Sequence, residues 1–314
     1  MKHAMAGSFL NRVCKNIHIA FLFVLLNGCG TTSSDMETDT RTSGTIHISS
    51  DESFKPVMDS QIQVFEALHP DAHIIVHYKP EADCFRDLTV DSIRMVFVTR
   101  RLTKEEDQFL VDSMRVGPSQ MIVARDAIAV IVNRDAPDSL FTAQEIKEIL
   151  TGRFSKNLIP VFDGLKATST VRFIVDSILK GDSLSPKTVA GKTSDEVIDY
   201  VAKTPNAVGF IGVNWIGNPE DSMQLSFLTK IKIARLERSD AKNKFVQPGP
   251  ATIFTLRYPL VRDLVYVLKE RHNGLGHGFA SFVSGEQGQL IFKRAYLAPM
   301  QKDFSKRPIR LREE

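Results

Sequence analysis

Three short segments of the 314-residue chain set hydroxyls, acids or guanidinium groups just ahead of an amphipathic stretch. They are Ser49-Ser50-Asp51-Glu52-Ser53-Phe54, Thr99-Arg100-Arg101-Leu102, and the run from Asp163-Gly164 to Thr168-Ser169-Thr170. The chemistry open to such turns is anion capture. The first N–H groups of a helix lack intrahelical partners and carry about half a positive charge. Serine and threonine hydroxyls donate to anion oxygens, and an arginine pairs with them bidentately. The same residue types also cap helices, so any one turn of this kind is first a structural feature. Acids crowd the neighbourhood: Asp51, Glu52, Glu81 and Asp83. Beside a bound dianion they would cost on the order of several kcal/mol unless Arg or Lys paired with them. Arg100 and Arg172, the latter two residues past Thr170, are the candidate partners.

Other chemistries find less footing. His73 and His77 share one face of a strand pattern with Ile75, without carboxylate or thiolate partners for a metal. Cys84 has no histidine at a convincing spacing and reads as an inert thiol. His272 and His277 fall in a glycine-rich stretch that reads as a loop. Trp215 has no second tryptophan with which to form a sugar platform and reads as a packing residue. No G-x-S-x-G elbow, Walker loop or H-E-x-x-H motif occurs, which excludes the commonest hydrolases. Neither an enzyme, a metal site nor a cofactor is expected.

The elements that must position these residues alternate. Thr45–Ser49 is a strand pattern, a helical face of Val57, Met58, Ile62, Phe65 and Leu68 follows, and His73–Tyr78 is a β-branched run. Arg94–Thr99, Ala207–Ile211 and Leu264–Leu268 read as further strands, and Ala127–Val132 as one buried on both faces. Capping boxes stand at Thr103/Glu106, Thr142/Glu145 and Thr193/Glu196, and Gly152 is a C-cap. No repeat period is visible. The pattern predicts an α/β chain with a parallel sheet and crossover helices.

The ends differ from the body. Lys2, Arg12 and Lys15 precede an apolar run, Ile17–Leu26, too short to span a bilayer but suited to a secretory signal. Setting those three aside leaves 37 basic against 37 acidic residues, so a broad nucleic-acid-binding field is not expected. Leu26-Asn27-Gly28-Cys29 looks like a bacterial lipobox. Lipid on Cys29 would hold the chain to a membrane, at roughly 0.8 kcal/mol per buried methylene. The expected division begins with a signal over residues 1–28 and a polar tether over 29–44, with a basic tail over 301–314.

The order of segments resembles the phosphate-binding (PstS-like) solute receptors of ABC importers, which are type 2 periplasmic-binding proteins. The resemblance is carried by Ile48–Pro56, Arg125–Asn133, Phe141–Gly152, Asn206–Gly212 and Tyr258–Arg262, and spans about residues 45–300. It implies two α/β lobes joined by two crossing strands, with the ligand cleft between them. Lobe 1 would be 45–133 plus 246–300, and lobe 2 would be 134–245. It implies a monomer, anchored extracytoplasmically, that captures phosphate or a similar small oxyanion for an ABC importer permease. The matching anion contacts are Ser50, Asp51, Ser53, Thr99, Arg100, Thr168, Ser169 and Thr170, with charge from Arg100 or Arg172. Asp51 would accept the proton of hydrogen phosphate, which sulfate lacks. This chain departs from the family's loops. Pro80-Glu81-Ala82-Asp83-Cys84 stands for Ser-Gly-Ser-Gly, Thr99-Arg100 for Ser-Asp, and Ala167-Thr168-Ser169-Thr170 for Gly-Ser-Gly-Thr. Two alternatives stay open: a structural or signalling lipoprotein of this fold without phosphate binding, and a phosphatase-like enzyme.

Overall fold

A computed structural model describes residues 39–300, apart from 116 and 165–167. The signal, Cys29, most of the expected tether and the tail therefore lie outside the described residues. Among the described residues thirteen strands occur in chain order: β1 (Gly44–Asp51), β2 (Ala72–Lys79), β3 (Ile93–Val98), β4 (Ser119–Asn133), β5 (Leu140–Phe141), β6 (Ile159–Phe162) and β7 (Val189–Ala190). They continue as β8 (Ala207–Gly212), β9 (Ile231–Ile233), β10 (Arg235–Arg238), β11 (Ala241–Val246), β12 (Val261–Leu268) and β13 (Ala298–Pro299).

The main sheet runs β2-β1-β3-β12-β4-β8-β6-β7, with β5, β10 and β11 forming a small separate one. β1, β2 and β3 are parallel in the order 2-1-3; β6, β7 and β8 are parallel in the order 7-6-8. Helices cross over within each set, Lys55–Leu68 and Glu81–Asp87 in the first, Ser169–Phe173 and Ser194–Lys203 in the second. β1 and β6 thus hold equivalent central places in two similar half-sheets, a likeness of topology that sequence periodicity does not show. This is a mixed α/β, two-lobe fold.

The long strand β4 belongs to both halves. It pairs with β12 up to Ala127, and with β8 and β9 from Ile128 to Asn133. All of Ala127–Asn133 is buried, as an apolar run between two packed faces demands. Moving Phe54, Met58 and Phe65 against the first half and Phe162, Phe210 and Val197 against the second removes each from water almost completely. Each such side chain contributes about 1.5–3 kcal/mol.

Local signals are realised closely. Thr103 and Thr142 each form both halves of a capping box, and Gly152 ends its helix with φ 73°. At Thr193 the box is half made, because Glu196 turns its carboxylate to the Lys192 N–H.

Two expectations change. The glycine-rich stretch read as a loop contains the helix Leu275–Ser284, with His277 in its first turn. Its glycines permit contact: a Cβ on Gly278 would lie 1.8 Å from the Arg41 carbonyl oxygen. The end of the expected tether is also anchored. Asp39 accepts from the Leu275 N–H and pairs with Arg94, and Arg41 donates to Asn273 at 3.0 Å.

Candidate functional site

β1 ends at Asp51 and β6 ends one residue before Asp163, so both hydroxyl-bearing turns leave the carboxyl ends of equivalent central strands. In open α/β sheets that is where ligands are met. The turn after β1 is a single 3-10 turn, Glu52–Phe54, leading into Lys55–Leu68 with Pro56 near its start. The turn after β6 leads to Ser169, with Thr168 capping the Val171 N–H at 3.3 Å.

The two turns meet on Asp51. Its Oδ1 accepts from the Ser53 N–H (3.0 Å), the Ser53 hydroxyl and the Ser169 hydroxyl (3.0 Å). Its Oδ2 accepts from the Ser169 N–H at 3.4 Å. Ser50 is buried beside them but turns its hydroxyl to the Asp51 carbonyl, 3.3 Å away. Thr170 is buried with its hydroxyl 3.5 Å from Asp163.

The cation in this cluster is Arg262, near the start of β12. Its Nη1 donates to Ser169 (2.8 Å) and Thr170 (3.3 Å), its Nη2 to Ser53 (3.0 Å), and its Nε to Asp126 of β4 (2.9 Å). The guanidinium also lies 5.0 Å from the Phe54 ring centroid. Arg262 therefore touches hydroxyls from both half-sheets. Close approach is required here: a Cβ on Gly212 would lie 2.9 Å from the Ser53 carbonyl oxygen, which accepts from Asn214 (2.8 Å) and the buried Trp215 indole (3.0 Å).

Arg100 lies apart from this cluster. Its guanidinium is bidentate to Glu106 (2.7 and 2.8 Å) and stacks 3.8 Å over Phe85, so its donors are committed away from the Asp51 cluster. Thr99 and Arg172 form a second junction. Arg172 Nε donates to Glu81 at 2.6 Å and Nη2 to the Thr99 hydroxyl at 2.6 Å, while Thr99 donates its N–H to Glu81 at 2.7 Å. Asp83 pairs with Arg86.

Burial dominates the electrostatics. It pushes the Glu52 carboxyl up to about 8, with the charge of Asp163 adding to the effect. Burial and then Asp51 push Asp163 up to about 7. Both shifts favour the neutral acid, most strongly at Glu52, and a protonated carboxyl can donate a hydrogen bond. Burial also raises Asp51 and Asp126 against the pull of Arg262. Glu81 goes the other way. The Arg172 and Thr99 donors outweigh its desolvation and hold it below the ordinary range.

Metal chemistry has one geometric candidate among the described residues: Asp39, Glu270 and His272 bring ligand atoms within 4.8 Å of one another. Arg94 already stands against both acids (3.4 and 3.5 Å), so this is an ion-pair knot. Cys84 is buried, and burial pushes its thiol far up.

The residues that sequence reasoning missed are Arg262 and Asp126. Their signal was an adjacent Arg-Asp pair in each of two otherwise apolar strand runs, Arg125-Asp126 and Arg262-Asp263, and strand register sets Arg262 opposite Asp126. Opposite charges in strands that are otherwise apolar need each other when buried.

Residues 35–286 match a PBP superfamily domain. The phosphate-binding protein PstS of Pseudomonas aeruginosa is 21% identical over 266 residues, covering 77% of this chain and 79% of that one. That of Staphylococcus haemolyticus is 20% identical over 263 residues, covering 79% of each. A phosphate ABC transporter substrate-binding protein from Clostridium perfringens, solved with bound phosphate, superposes with TM-score 0.67 at 19% identity, over 82% of this chain and all of that one. An ABC-type phosphate transport receptor from Vibrio cholerae gives TM-score 0.60 at 17% identity, over 81% and 99%. These structures share the fold, and with most of its length matched the chain belongs to the PBP superfamily.

Proposed function

We propose that this chain is a lipid-anchored receptor on the extracytoplasmic face that captures phosphate or a similar small oxyanion between its lobes. It then delivers the anion, as a monomer, to an ABC importer permease. The observation that carries this reading is Arg262, a buried guanidinium whose donors reach Ser53, Ser169 and Thr170 from the ends of two half-sheets. Relatives named for phosphate binding support the anion. Among the described residues no helix is long and apolar enough to cross a membrane, and attachment in this reading comes from Cys29.

No bond is broken. The anion binds the closed arrangement better than an open one, and that difference in affinity shifts the population. Protonated Glu52 is an added donor at physiological pH. A phosphomonoester turned over by the pure chain would overturn the non-enzymatic part.

The test is calorimetry with phosphate, with sulfate as competitor. Ser169→Ala should lose about 0.5–1.5 kcal/mol of binding. Neither heat nor thermal stabilisation at millimolar phosphate would reject the reading. The buried carboxylates of Asp51, Asp126 and Asp163 favour one second reading, a structural or signalling lipoprotein of this fold that no longer takes phosphate.

A further inference from the structure

We infer that the Asp51 carboxylate is a built-in occupant of the anion site, holding the two half-sheets together, and that an incoming oxyanion must displace it. This rests on the oxyanion reading of the cleft, and its structural half stands without that reading.

The donor set is the first reason. Two backbone N–H groups and two hydroxyls, from Ser53 and Ser169, converge on one carboxylate. A tetrahedral oxyanion held between these turns would need the same four donors. The second reason is the direction of each hydrogen bond. Arg262 donates to the Ser53 and Ser169 hydroxyls, and each hydroxyl then donates onward to Asp51. A hydroxyl has one hydrogen, so both are spent on Asp51. An anion gains them only when the carboxylate leaves. Remaining in place, the carboxylate would sit against a second negative charge inside a desolvated cluster.

The third reason is connectivity. Asp51 ends β1 of one half-sheet, and Ser169 follows β6 of the other. The 118-residue contact therefore ties the two halves. The Glu81–Arg172 pair makes a second tie between the same halves. A cleft tied by its own carboxylate closes without ligand, and its affinity for an outside anion falls by whatever that tie contributes.

The test uses the full-length chain with spin labels at the exposed positions Gln63 and Asp199, one on each half. Distances are read with and without inorganic phosphate, in wild type, Asp51→Ser and Asp51→Asn, alongside calorimetry. Wild type should give one short distance that phosphate leaves unchanged. Asp51→Ser should give a longer or broader distribution that phosphate shortens, and should bind phosphate at least tenfold more tightly. Asp51→Asn keeps the volume and removes the charge, so it should move in the same direction, and it decides the matter if the serine variant fails to fold. A ligand-free wild type already open, or an Asp51→Ser chain as closed as wild type, overturns the inference. So does phosphate binding that is unchanged or weaker in Asp51→Ser. If no variant binds phosphate, the oxyanion reading falls, and the ligand-free distances alone decide whether Asp51 is the tie.

Discussion

Arg262 and Asp126 face each other as register partners on β12 and β4, Nε to Oδ2 at 2.9 Å, with side chains 2% and 0% exposed. The pair sits where β4 passes from one half-sheet to the other. Breaking it leaves a buried charge without its partner, which typically costs about 3–5 kcal/mol. Arg262→Met and Asp126→Leu should each lower stability by that amount in urea unfolding. The double variant should recover part of the loss, since neither member of the pair is left alone, while Asp51 still loses the nearby Arg262 charge. Additive losses would show that the pair is not the coupled unit described.

The carboxyl of Glu52 provides a pH test. Its folded value of about 8, raised by burial and Asp163, lies above the unfolded value. At pH below about 4 the group is neutral in both states and costs nothing. As pH rises, the unfolded chain ionises first, so stability drains away until the folded value is passed. Asp163 acts in the same sense up to about 7. Glu52→Gln should therefore gain melting temperature relative to wild type as pH goes from about 4.5 to 8.5. Parallel melting curves across that range would contradict the buried neutral acid.

Two arginines that looked alike in the sequence should behave differently. Arg100 pairs with Glu106 at a part-exposed site, side chains 32% and 37% accessible, so Arg100→Ala should cost at most about 1 kcal/mol. It should also leave phosphate affinity within about twofold, because its donors are committed elsewhere. Arg172→Ala strips Glu81, 2% exposed, of its charged partner and should cost about 1.5–3 kcal/mol. Equal effects of the two substitutions would place Arg100 nearer the site than its partners indicate.

What was legible in the sequence depended on how far each interaction reaches. The boxes at Thr103/Glu106 and Thr142/Glu145 need only residues three apart, and both formed. The fate of Arg100 was nearly as local, since Glu106 sits six residues on and also serves the Thr103 cap. The hydroxyl-bearing turns were recognisable because strand, hydroxyl and helix follow in order. Arg262 was not, because its partners Asp126, Ser169 and Ser53 lie 136, 93 and 209 residues away. Tertiary contact also overrode propensity at Leu275–Ser284, where glycines that usually loosen a helix admit the Arg41 backbone.

Lipidation at Cys29 has its own readout. Mass spectrometry of the N-terminus purified from membranes should find a diacylglycerol-modified cysteine after cleavage at Gly28. Cys29→Ala should move the chain to the soluble fraction, because the buried acyl methylenes, at roughly 0.8 kcal/mol each, are then absent. A soluble wild-type chain with an unmodified cysteine would end the idea.

The last prediction concerns where one lobe can be cut from the other. A boundary between residues 133 and 134 falls just after β4, whose residues Ile128–Val132 pair with β8 and whose residues Ile131–Asn133 pair with β9. A fragment of 134–245 would keep β8 and β9 and lose the strand that joins them. All six residues of β8 are buried in the whole chain, Val208, Phe210 and Ile211 among them. Without β4 their edge lies open, and an exposed apolar edge associates with other chains. The fragment should therefore be aggregated or unfolded, with no cooperative melt. Starting the fragment at Ala127 restores the β4 pairing within one continuous segment. Residues 127–245 should then show a cooperative transition, read by circular dichroism and checked for monodispersity by light scattering. A monomeric, cooperatively melting 134–245 would show that β4 contributes little to this half, and would support the expected lobe boundary at residue 134.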